Sequence, residues 1–528
     1  MNNDNWTQLE IALQHGLVNF RWFGGKSRSI TKVKIIERLA FPAAKLAGQY
    51  YIALARIEYD QGTPETYALP IAFASGTAAE QLIKASRNSI FWTGRNGTIA
   101  YDATLDSGFR SQVLEFIFSE NKSRGAKAQF QASITTDSKA SVRKHVKKAP
   151  SSRVLKAEQS NTSLVYSAKF ILKFYRRLSE GINPDVEIGR FLTDETSFRH
   201  SPPVIGTLEF DPKRKGHEPI TIGCVYKFVR NQGDAWSVFL SELTKLAKVA
   251  SRRSDSFSQI AAPRFGLIDA AQNPIPAPVK KEFGKLLRYA EQLGRRTFEM
   301  HAALASKFSS AEFAPEKLSA KASAAFGADL KRHSDLAFHV LRGSLSKLNG
   351  AVKKDSNRLL NMREDVLSKF SKLTHSLAGA TVTRTHGDYH LGQVLFTGSD
   401  FIIIDYEGEP ARPLSERRRK HPPFRDVAGM LRSFQYAAQV ARDQNGLHSD
   451  RLGIWFSLWS QWTAVAYLRG YLANAKAAPF VPKDQTVTSS LIQIYLLEKA
   501  LYELVYELNN RPDWVKVPLS GILELLEA

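Results

Sequence analysis

The sequence contains little cysteine, no long apolar run and few acidic residues. Its 528 residues include a single cysteine, Cys224, which excludes an internal disulfide, and the apolar neighbours of Cys224 predict a buried, unreactive thiol. No apolar run approaches the length of a membrane span, and the first residues lack the basic start and apolar core of a signal peptide. We therefore expect a cytoplasmic protein without a membrane partner.

Basic residues outnumber acidic ones by 73 to 51, which gives a formal net charge of +22. Such a charge attracts anionic ligands such as nucleotides, and it also promotes loose binding to nucleic acid. The basic residues are spread along the whole chain without a nucleic-acid-binding motif, so a solvated basic surface is the simpler interpretation. We expect no specific nucleic-acid partner.

The texture of the sequence changes along the chain and predicts an α+β protein of two or three domains. Residues 1–118 alternate short apolar runs with turn signals, which predicts a small β-rich domain that begins with an amphipathic helix. Residues 119–156 are basic and rich in Ser and Ala, and they are interpreted as a connecting segment that can include local strands. Strand patterns dominate residues 157–230, and residues 231–528 are largely helical.

The most informative stretch is the loop His386-Gly387-Asp388, which is followed by Gln393 and, after an apolar strand, by Asp405. Protein kinases use the same layout for phosphoryl transfer. Asp388 is predicted to take the proton of the acceptor hydroxyl, while Gln393 and Asp405 are predicted to bind Mg²⁺ through oxygen atoms. A His-Gly-Asp opening is typical of kinases that act on small molecules. The alternative is an ordinary turn followed by an acidic strand end.

A lysine in a second strand suggests a nucleotide site. Lys173 lies in the apolar run 170–174, and the helix that starts at Asn183-Pro184 carries Glu187. Kinases place a strand lysine on the ATP phosphates and hold it with a helix glutamate, so Lys173 and Glu187 are predicted to form this pair. A lysine on a solvated sheet edge is the alternative.

Two further segments are candidates for nucleotide contacts. The polar turn that begins at Glu158 has no glycine, but its hydroxyl and backbone N–H groups could contact phosphate, or it could be a plain turn. The candidate contacts there are Ser160, Asn161, Thr162 and Ser163. Phe228 and Val229 lie where the connection between two kinase lobes is expected, and their backbone groups would bind adenine.

Side chains for a sugar acceptor are harder to identify. Tyr467 and Tyr471 could stack on a sugar, although their helical spacing is also typical of core packing. Glu407 could assist the metal or bind a sugar hydroxyl, and Arg412 could bind sugar oxygens. An internal ion pair between Glu409 and Arg412 is the alternative for the last residue.

Several motifs together resemble one family. They are 21–26 (RWFGGK), 293–297 (LGRRT) with His301, 405–414 (DYEGEPARPL) and 425–432 (RDVAGMLR). In these motifs the chain resembles the bacterial maltokinases, which are related to aminoglycoside and other small-molecule kinases of the protein-kinase-like fold. Tyr389 stands where many relatives have Leu.

The resemblance implies a bilobal protein-kinase-like fold with an N-terminal cap domain, a nucleotide-binding N-lobe and a helical C-lobe that holds sugar. It implies that ATP phosphorylates maltose to maltose 1-phosphate, with Mg²⁺, in the route from trehalose to glycogen. Any trehalose synthase partner is expected to be a separate protein. Another acceptor, such as glucosamine or an aminoglycoside, is the first alternative, and a non-catalytic scaffold is the second.

Overall fold

The computed structural model describes most of the chain. The described residues are 3–41, 49–124, 128–139, 142, 150–155, 160–253, 257–263, 266–375, 377, 379–410, 412–475 and 478–527. Glu158, where the predicted phosphate-contacting turn begins, and the basic residues 143–149 lie outside them. The chain forms two compact units, one from Met1–Glu195 with Pro202–Arg230 and one from Thr196–Ser201 with Asn231–Ala528.

The first unit begins with an antiparallel sheet of order β1-β2-β3-β5-β4, to which β11 adds by pairing with β3. The strands are β1 (Ile30–Ala40), β2 (Tyr51–Tyr59), β3 (Glu65–Ala74), β4 (Ile90–Thr93), β5 (Ile99–Asp102) and β11 (Arg177–Leu178), and the helices are α1 (Asn3–Gly16), α2 (Gly76–Ser86) and α3 (Ser107–Phe118). Helix α1 buries Trp6, Leu9 and Leu13 in a core shared with the strands. The amphipathic first helix and the β-rich character of this region are therefore as predicted.

A second antiparallel sheet in the same unit has the order β6-β7-β12-β13-β10-β9-β8. Its strands are β6 (Lys122–Arg124), β7 (Gln129–Ile134), β8 (Ser152–Val154), β9 (Asn161–Tyr166), β10 (Phe170–Tyr175), β12 (Val204–Asp211) and β13 (Ile220–Lys227), and helix α4 is Pro184–Asp194. The segment interpreted as a connector supplies three of these strands, β6, β7 and β8. This segment takes part in the core of the unit, because Phe130 and Ala132 of β7 are buried there. Cys224 is buried in β13, and burial raises the pKa of its thiol, as expected for an unreactive cysteine.

The second unit is largely helical, with two short antiparallel strand pairs, β14 with β15 and β16 with β17. Its elements are α5 (Ala235–Arg252), α6 (Leu267–Gln272), α7 (Ala277–Leu304), β14 (Glu316–Lys317), α8 (Ala320–Ser344), α9 (Gly350–Asn361), α10 (Arg363–His375), β15 (Thr381–Val382), β16 (Val394–Phe396), β17 (Phe401–Ile403), α11 (Leu414–Arg417), α12 (Phe424–Gln444), α13 (Asp450–Leu472), α14 (Gln485–Asn510) and α15 (Lys516–Glu527). The predicted α+β class is confirmed. In the described parts of the chain, no helix is both long and apolar enough to cross a membrane.

Helices α7 and α13 cross in backbone contact at the centre of this unit. A Cβ atom at Gly294 would overlap the carbonyl oxygen of Tyr467, and one at Gly470 would overlap that of Glu291. Two glycines are needed here because any side chain would push the helices apart. The close crossing brings polar side chains of α7 and α13 under the loop that carries Asp388.

Candidate active site

The loop that carries Asp388 is held by a buried carboxylate of helix α12. Asp426 accepts hydrogen bonds from the backbone N–H groups of His386 at 2.7 Å and Gly387 at 2.9 Å. Gly387 has φ +85°, a conformation that favours glycine, so the chain can turn at this point without strain. Asp388 therefore lies in a loop whose backbone is held by hydrogen bonds to Asp426.

Asp426 is itself held by a chain of buried side chains. His301 Nε2 of α7 donates to Asp426 at 3.0 Å, and His301 Nδ1 lies 2.9 Å from the hydroxyl of Tyr471 on α13. Burial alone would raise the pKa of the Asp426 carboxyl, but the hydrogen bond and charge of His301 and the N–H of Gly387 outweigh burial and lower that pKa. Three helices thus converge on the backbone of the Asp388 loop.

Tyr389 fixes the loop on its other side. Its hydroxyl shares a hydrogen bond of 3.0 Å with Thr297 of α7, and its buried ring lies 5.1 Å from the ring of His386. A leucine at this position would pack but could not make the hydrogen bond to Thr297. The hydroxyl of Tyr389, which stands where many relatives have Leu, is therefore accommodated in the core by this hydrogen bond.

The carboxylate of Asp388 has one oxygen bound and one available. Lys499 of α14 donates to Asp388 Oδ1 at 2.9 Å. Among the residues that the structure describes, Oδ2 has no hydrogen-bond donor, and the side chain is 21% exposed. Burial would raise the pKa of Asp388, but the charges of Lys499 and of His390 outweigh it, so the pKa is lowered. An ionised carboxylate with one open oxygen suits a group that takes a proton.

Lys499 also binds Glu409, which lies at the centre of a buried ion-pair cluster. Glu409 is 2% exposed and receives Lys499 at 2.8 Å, Arg425 at 3.2 Å and Arg412. Burial opposes ionisation of Glu409, but these cations outweigh it and lower its pKa from 4.5 to about 2. Neither Lys499 nor Arg425 was predicted from the sequence as a site residue.

Arg412 is held by carboxylates of its own unit. It pairs with Glu409 and Glu416 and donates to Glu498 of α14 at 2.8 Å. All three acids are buried or half-buried, so the guanidinium is occupied. The structure thus shows the internal ion pair that the sequence offered as the alternative to a sugar contact at Arg412.

The two tyrosines predicted as sugar contacts lie in the core of the second unit. Tyr467 and Tyr471 are both 0% exposed. Tyr471 contributes its hydroxyl to the chain through His301, and Tyr467 packs against Phe434 with ring centroids 5.8 Å apart. Neither ring presents a face on which a sugar could stack, so the alternative of core packing describes both residues.

The hairpin of β16 and β17 places the predicted metal ligands. Val394 pairs with Ile403, and the N–H of Ile404 donates to the carbonyl of Gln393 at 3.0 Å, so Gln393 and Asp405 lie at the same end of the hairpin. Asp405 has φ +69°, a left-handed conformation that is uncommon for residues other than glycine and is concentrated at functional sites.

Glu407 lies close to Asp405. Each of these half-buried residues offers a carboxylate oxygen, and the two oxygens lie within 4.8 Å of each other. Two carboxylates with a neighbouring amide form a donor set that suits a hard cation such as Mg²⁺. Gln393, Asp405 and Glu407 thus fit the metal that the sequence analysis expected, and the nearness of Glu407 to Asp405 favours its metal role.

In the first unit, Lys173 is buried and pairs with Asp185. The ammonium lies 3.1 Å from Asp185 Oδ2, and the hydroxyl of Tyr175 donates to the same oxygen at 2.9 Å. At 9% exposure Lys173 is not a solvated edge residue. Glu187, the predicted partner, is half-buried two positions further along α4, and its part in nucleotide binding stays a prediction.

The remaining predicted nucleotide contacts differ in accessibility. Ser160 is exposed and Asn161 half-buried, whereas Ser163 is buried in β9. The buried Thr162 hydroxyl accepts from Arg176 Nε at 2.9 Å, so it serves a structural contact.

The predicted adenine-binding pair lies just beyond β13. The N–H of Phe228 already donates to the carbonyl of Lys169 at 2.8 Å, and Phe228 and Val229 are both half-buried. Adenine would therefore have to be bound by other backbone groups of this segment than the Phe228 N–H.

Comparisons with known proteins agree with this architecture. Residues 17–106 match the maltokinase N-terminal cap domain family. The chain is 22% identical over 372 residues to a glucosamine kinase of Streptacidiphilus jiangxiensis, covering 70% of this chain and 72% of that protein. It is 23% identical over 375 residues to a glucosamine kinase of Mycolicibacterium smegmatis, covering 71% and 79%. A solved glucosamine kinase in complex with glucosamine, ADP and inorganic phosphate matches with a TM-score of 0.58 at 18% identity, over 94% of each chain.

The chain therefore has a protein-kinase-like fold, the architecture of kinase-like phosphotransferases. More narrowly, it is maltokinase-like, because its N-terminal region matches the maltokinase cap domain. The resemblance and the fold class expected from the sequence are confirmed.

Proposed function

We propose that this protein transfers a phosphoryl group from ATP to a sugar hydroxyl. The observation that carries the proposal is the state of Asp388, an ionised carboxylate with Oδ1 bound by Lys499 and Oδ2 available to an acceptor hydroxyl. Phosphoryl transfer needs alignment of two reactants and neutralisation of charge more than covalent chemistry by the protein. A rigid loop with one open base supplies the first requirement.

The other residues act on the nucleotide and its charge. Lys173, paired with Asp185, whose carboxylate also accepts a hydrogen bond from Tyr175, would bind the ATP phosphates. Asp405, Glu407 and Gln393 would hold Mg²⁺, which supplies neutralisation of the phosphate charge when it is bound. Asp388 accepts the hydroxyl proton as the acceptor oxygen bonds to phosphorus, and ADP leaves with the former bridging oxygen.

We propose maltose as the acceptor and maltose 1-phosphate as the product, in the route from trehalose to glycogen. The support is the match of residues 17–106 to the maltokinase cap domain family, together with the motif at 405–414. On this proposal the enzyme works in the cytoplasm and receives maltose from a separate trehalose synthase.

Glucosamine is the second candidate acceptor. Two curated relatives that each cover at least 70% of this chain are glucosamine kinases, and so is the solved structure of similar fold. Identities of 22% and 23% leave the residues around the acceptor free to differ.

A coupled assay of ADP release separates the two candidates. The purified protein is assayed with ATP and Mg²⁺ against maltose, glucose, glucosamine, trehalose and an aminoglycoside, with a reaction lacking acceptor as the control. We expect the highest kcat/KM with maltose. A preference for glucosamine would replace maltose with the second candidate, and no acceptor-dependent ADP release would refute the kinase proposal and favour a non-catalytic scaffold.

A further inference from the structure

Lys499 is a half-buried lysine that lies between two acids, one of them the proposed base. Its ammonium lies 2.9 Å from Asp388 Oδ1 and 2.8 Å from Glu409 Oε1. The ring centroid of Tyr502, one turn further along α14, lies 4.8 Å from the same ammonium. Neither the cap domain match nor the kinase motifs assign any role to this helix.

The contact with Glu409 anchors Lys499 independently of Asp388. Glu409 is buried, and its other oxygen is bound by Arg412 and Arg425. Lys499 therefore does not depend on Asp388 for its position. A donor fixed in advance restricts the rotation of its acceptor without a cost at the moment of reaction.

We propose that Lys499 is a positioning residue for proton transfer, holding Asp388 Oδ1 so that Oδ2 faces the acceptor hydroxyl. The inference rests on the proposed function, because it assigns a task to Lys499 only if Asp388 is the base. Lys499 acts through Asp388, and its own contacts are to protein side chains.

The charges around Asp388 support this assignment. Lys499 of α14 and His390 of the same loop favour the ionised carboxylate, while burial and the charge of Glu409 oppose it. Arg412 and Arg425 balance Glu409 on its other side. Lys499 is the cation in direct contact, so its removal leaves His390 to oppose burial and Glu409, both of which raise the pKa of Asp388.

Substitution of Lys499 by methionine and by arginine tests the inference. Methionine keeps the aliphatic stem and removes the charge, whereas arginine keeps a charged donor. For Lys499→Met we expect kcat to fall by at least about tenfold. The ATP dissociation constant should change by less than about twofold. The acid limb of kcat/KM against pH should move to higher pH. On acidification, a carboxylate with a raised pKa is protonated at a higher pH and then no longer acts as a base. Lys499→Arg should restore the wild-type limb.

Three comparisons make the result decisive. Lys285→Met, at a half-exposed lysine paired with Glu242, is the matched control and should leave kcat and the pH profile unchanged. In an Asp388→Asn background, Lys499→Met should cost no further activity, because the group through which it acts is already neutral. Thermal unfolding of each variant shows whether the variant is folded. If Lys499→Met is not folded, the test is decided by the acid limb of kcat/KM against pH in Lys499→Arg.

The outcomes separate this inference from the proposed function. A wild type that phosphorylates no acceptor overturns both. An active wild type whose Lys499→Met variant keeps full kcat and an unmoved acid limb overturns the inference alone. A loss that is equally large in the Asp388→Asn background also overturns it, because the effect would then not pass through Asp388.

Discussion

At the scale of single residues, the sequence proposed candidate site residues where short spacing carried the pattern. Gln393 and Asp405 flank the two strands of one hairpin, so their spacing already indicated that they lie at the same end of it. The acid that pairs with Lys173 could not be chosen in the same way. Asp185 and Glu187 both lie in the first turns of α4, and only the orientation of that helix on its sheet places Asp185 against Lys173.

Paired amide substitutions in α4 test which acid supports nucleotide binding. Asp185→Asn should weaken ATP binding about tenfold, since it removes the carboxylate charge that lies 3.1 Å from the buried Lys173 ammonium. Glu187→Gln is the matched control and should change ATP binding by less than about threefold. Calorimetric titration with ATP measures both. The reverse ranking would favour the pair of Lys173 and Glu187 that the sequence predicted.

Lys499 illustrates what the sequence did not show. It lies in α14, 111 residues after Asp388, and its neighbours Glu498 and Ala500 carry no motif. A lysine in an amphipathic helix is ordinarily solvated, so no local pattern distinguishes it. Only tertiary packing brings it to Asp388, and the same holds for the contact of Arg425 with Glu409.

At the scale of elements, the sequence pattern predicted where helices and strands dominate, whereas their partners depended on packing. Residues 231–528 were predicted to be largely helical, and they contain helices α5 to α15. Strands β6 and β7 did not stand out in the sequence, because β7 is stabilised by pairing with β12 some 70 residues later, as Thr207 with Ser133. The aromatic residues of α13 fit either core or ligand by spacing, and burial decided for the core.

The hydrogen-bonded side chains Asp426, His301 and Tyr471, from three helices, support the Asp388 loop. A change of the Asp426 carboxylate should therefore lower both stability and activity. Asp426→Asn keeps the size of the side chain but turns an N–H donor toward backbone N–H groups, so it should lower the free energy of unfolding by about 1–3 kcal/mol and reduce kcat. Tyr471→Phe removes one hydroxyl at the far end and should cost about 0.5–1.5 kcal/mol with little change in kcat. Urea unfolding and the coupled assay measure the two effects.

The acid dependence of stability provides a second readout for Asp426. Its pKa is lowered in the folded protein, so its contribution to stability is present above the unfolded pKa of about 3.9 and is lost as the pH falls through the folded pKa. The free energy of unfolding of Asp426→Asn should therefore fall less steeply on acidification than that of the wild type. Equal slopes in the two proteins would argue against the ionised carboxylate as the group that holds the loop.

At the scale of the whole molecule, the sequence indicated the fold class through motifs, and the comparisons confirmed it. The pairing of distant segments was beyond reach. Within the first unit, strand β11 pairs with β3 of the first sheet. The buried Arg176 contacts both sheets, because its guanidinium lies 2.6 Å from Asp102 at the end of β5 and also donates to the hydroxyl of Thr162 in β9. The contact between Arg176 and Asp102 links residues 74 positions apart, which composition and periodicity do not predict. The net charge of +22 agrees with a protein that attracts ATP, without demanding any nucleic-acid role.

Formation of a phosphorylated sugar from ATP and maltose, followed by ³¹P NMR, tests the central claim most directly when wild type and Asp388→Ala are compared. The wild type should produce a new sugar phosphate signal that grows with the ADP signals. Asp388→Ala should form it at least about a hundredfold more slowly while still binding ATP, and Asp513→Ala, at an exposed acid, should match the wild type. Undiminished product formation by Asp388→Ala would contradict the assignment of Asp388 as the base on which this account depends.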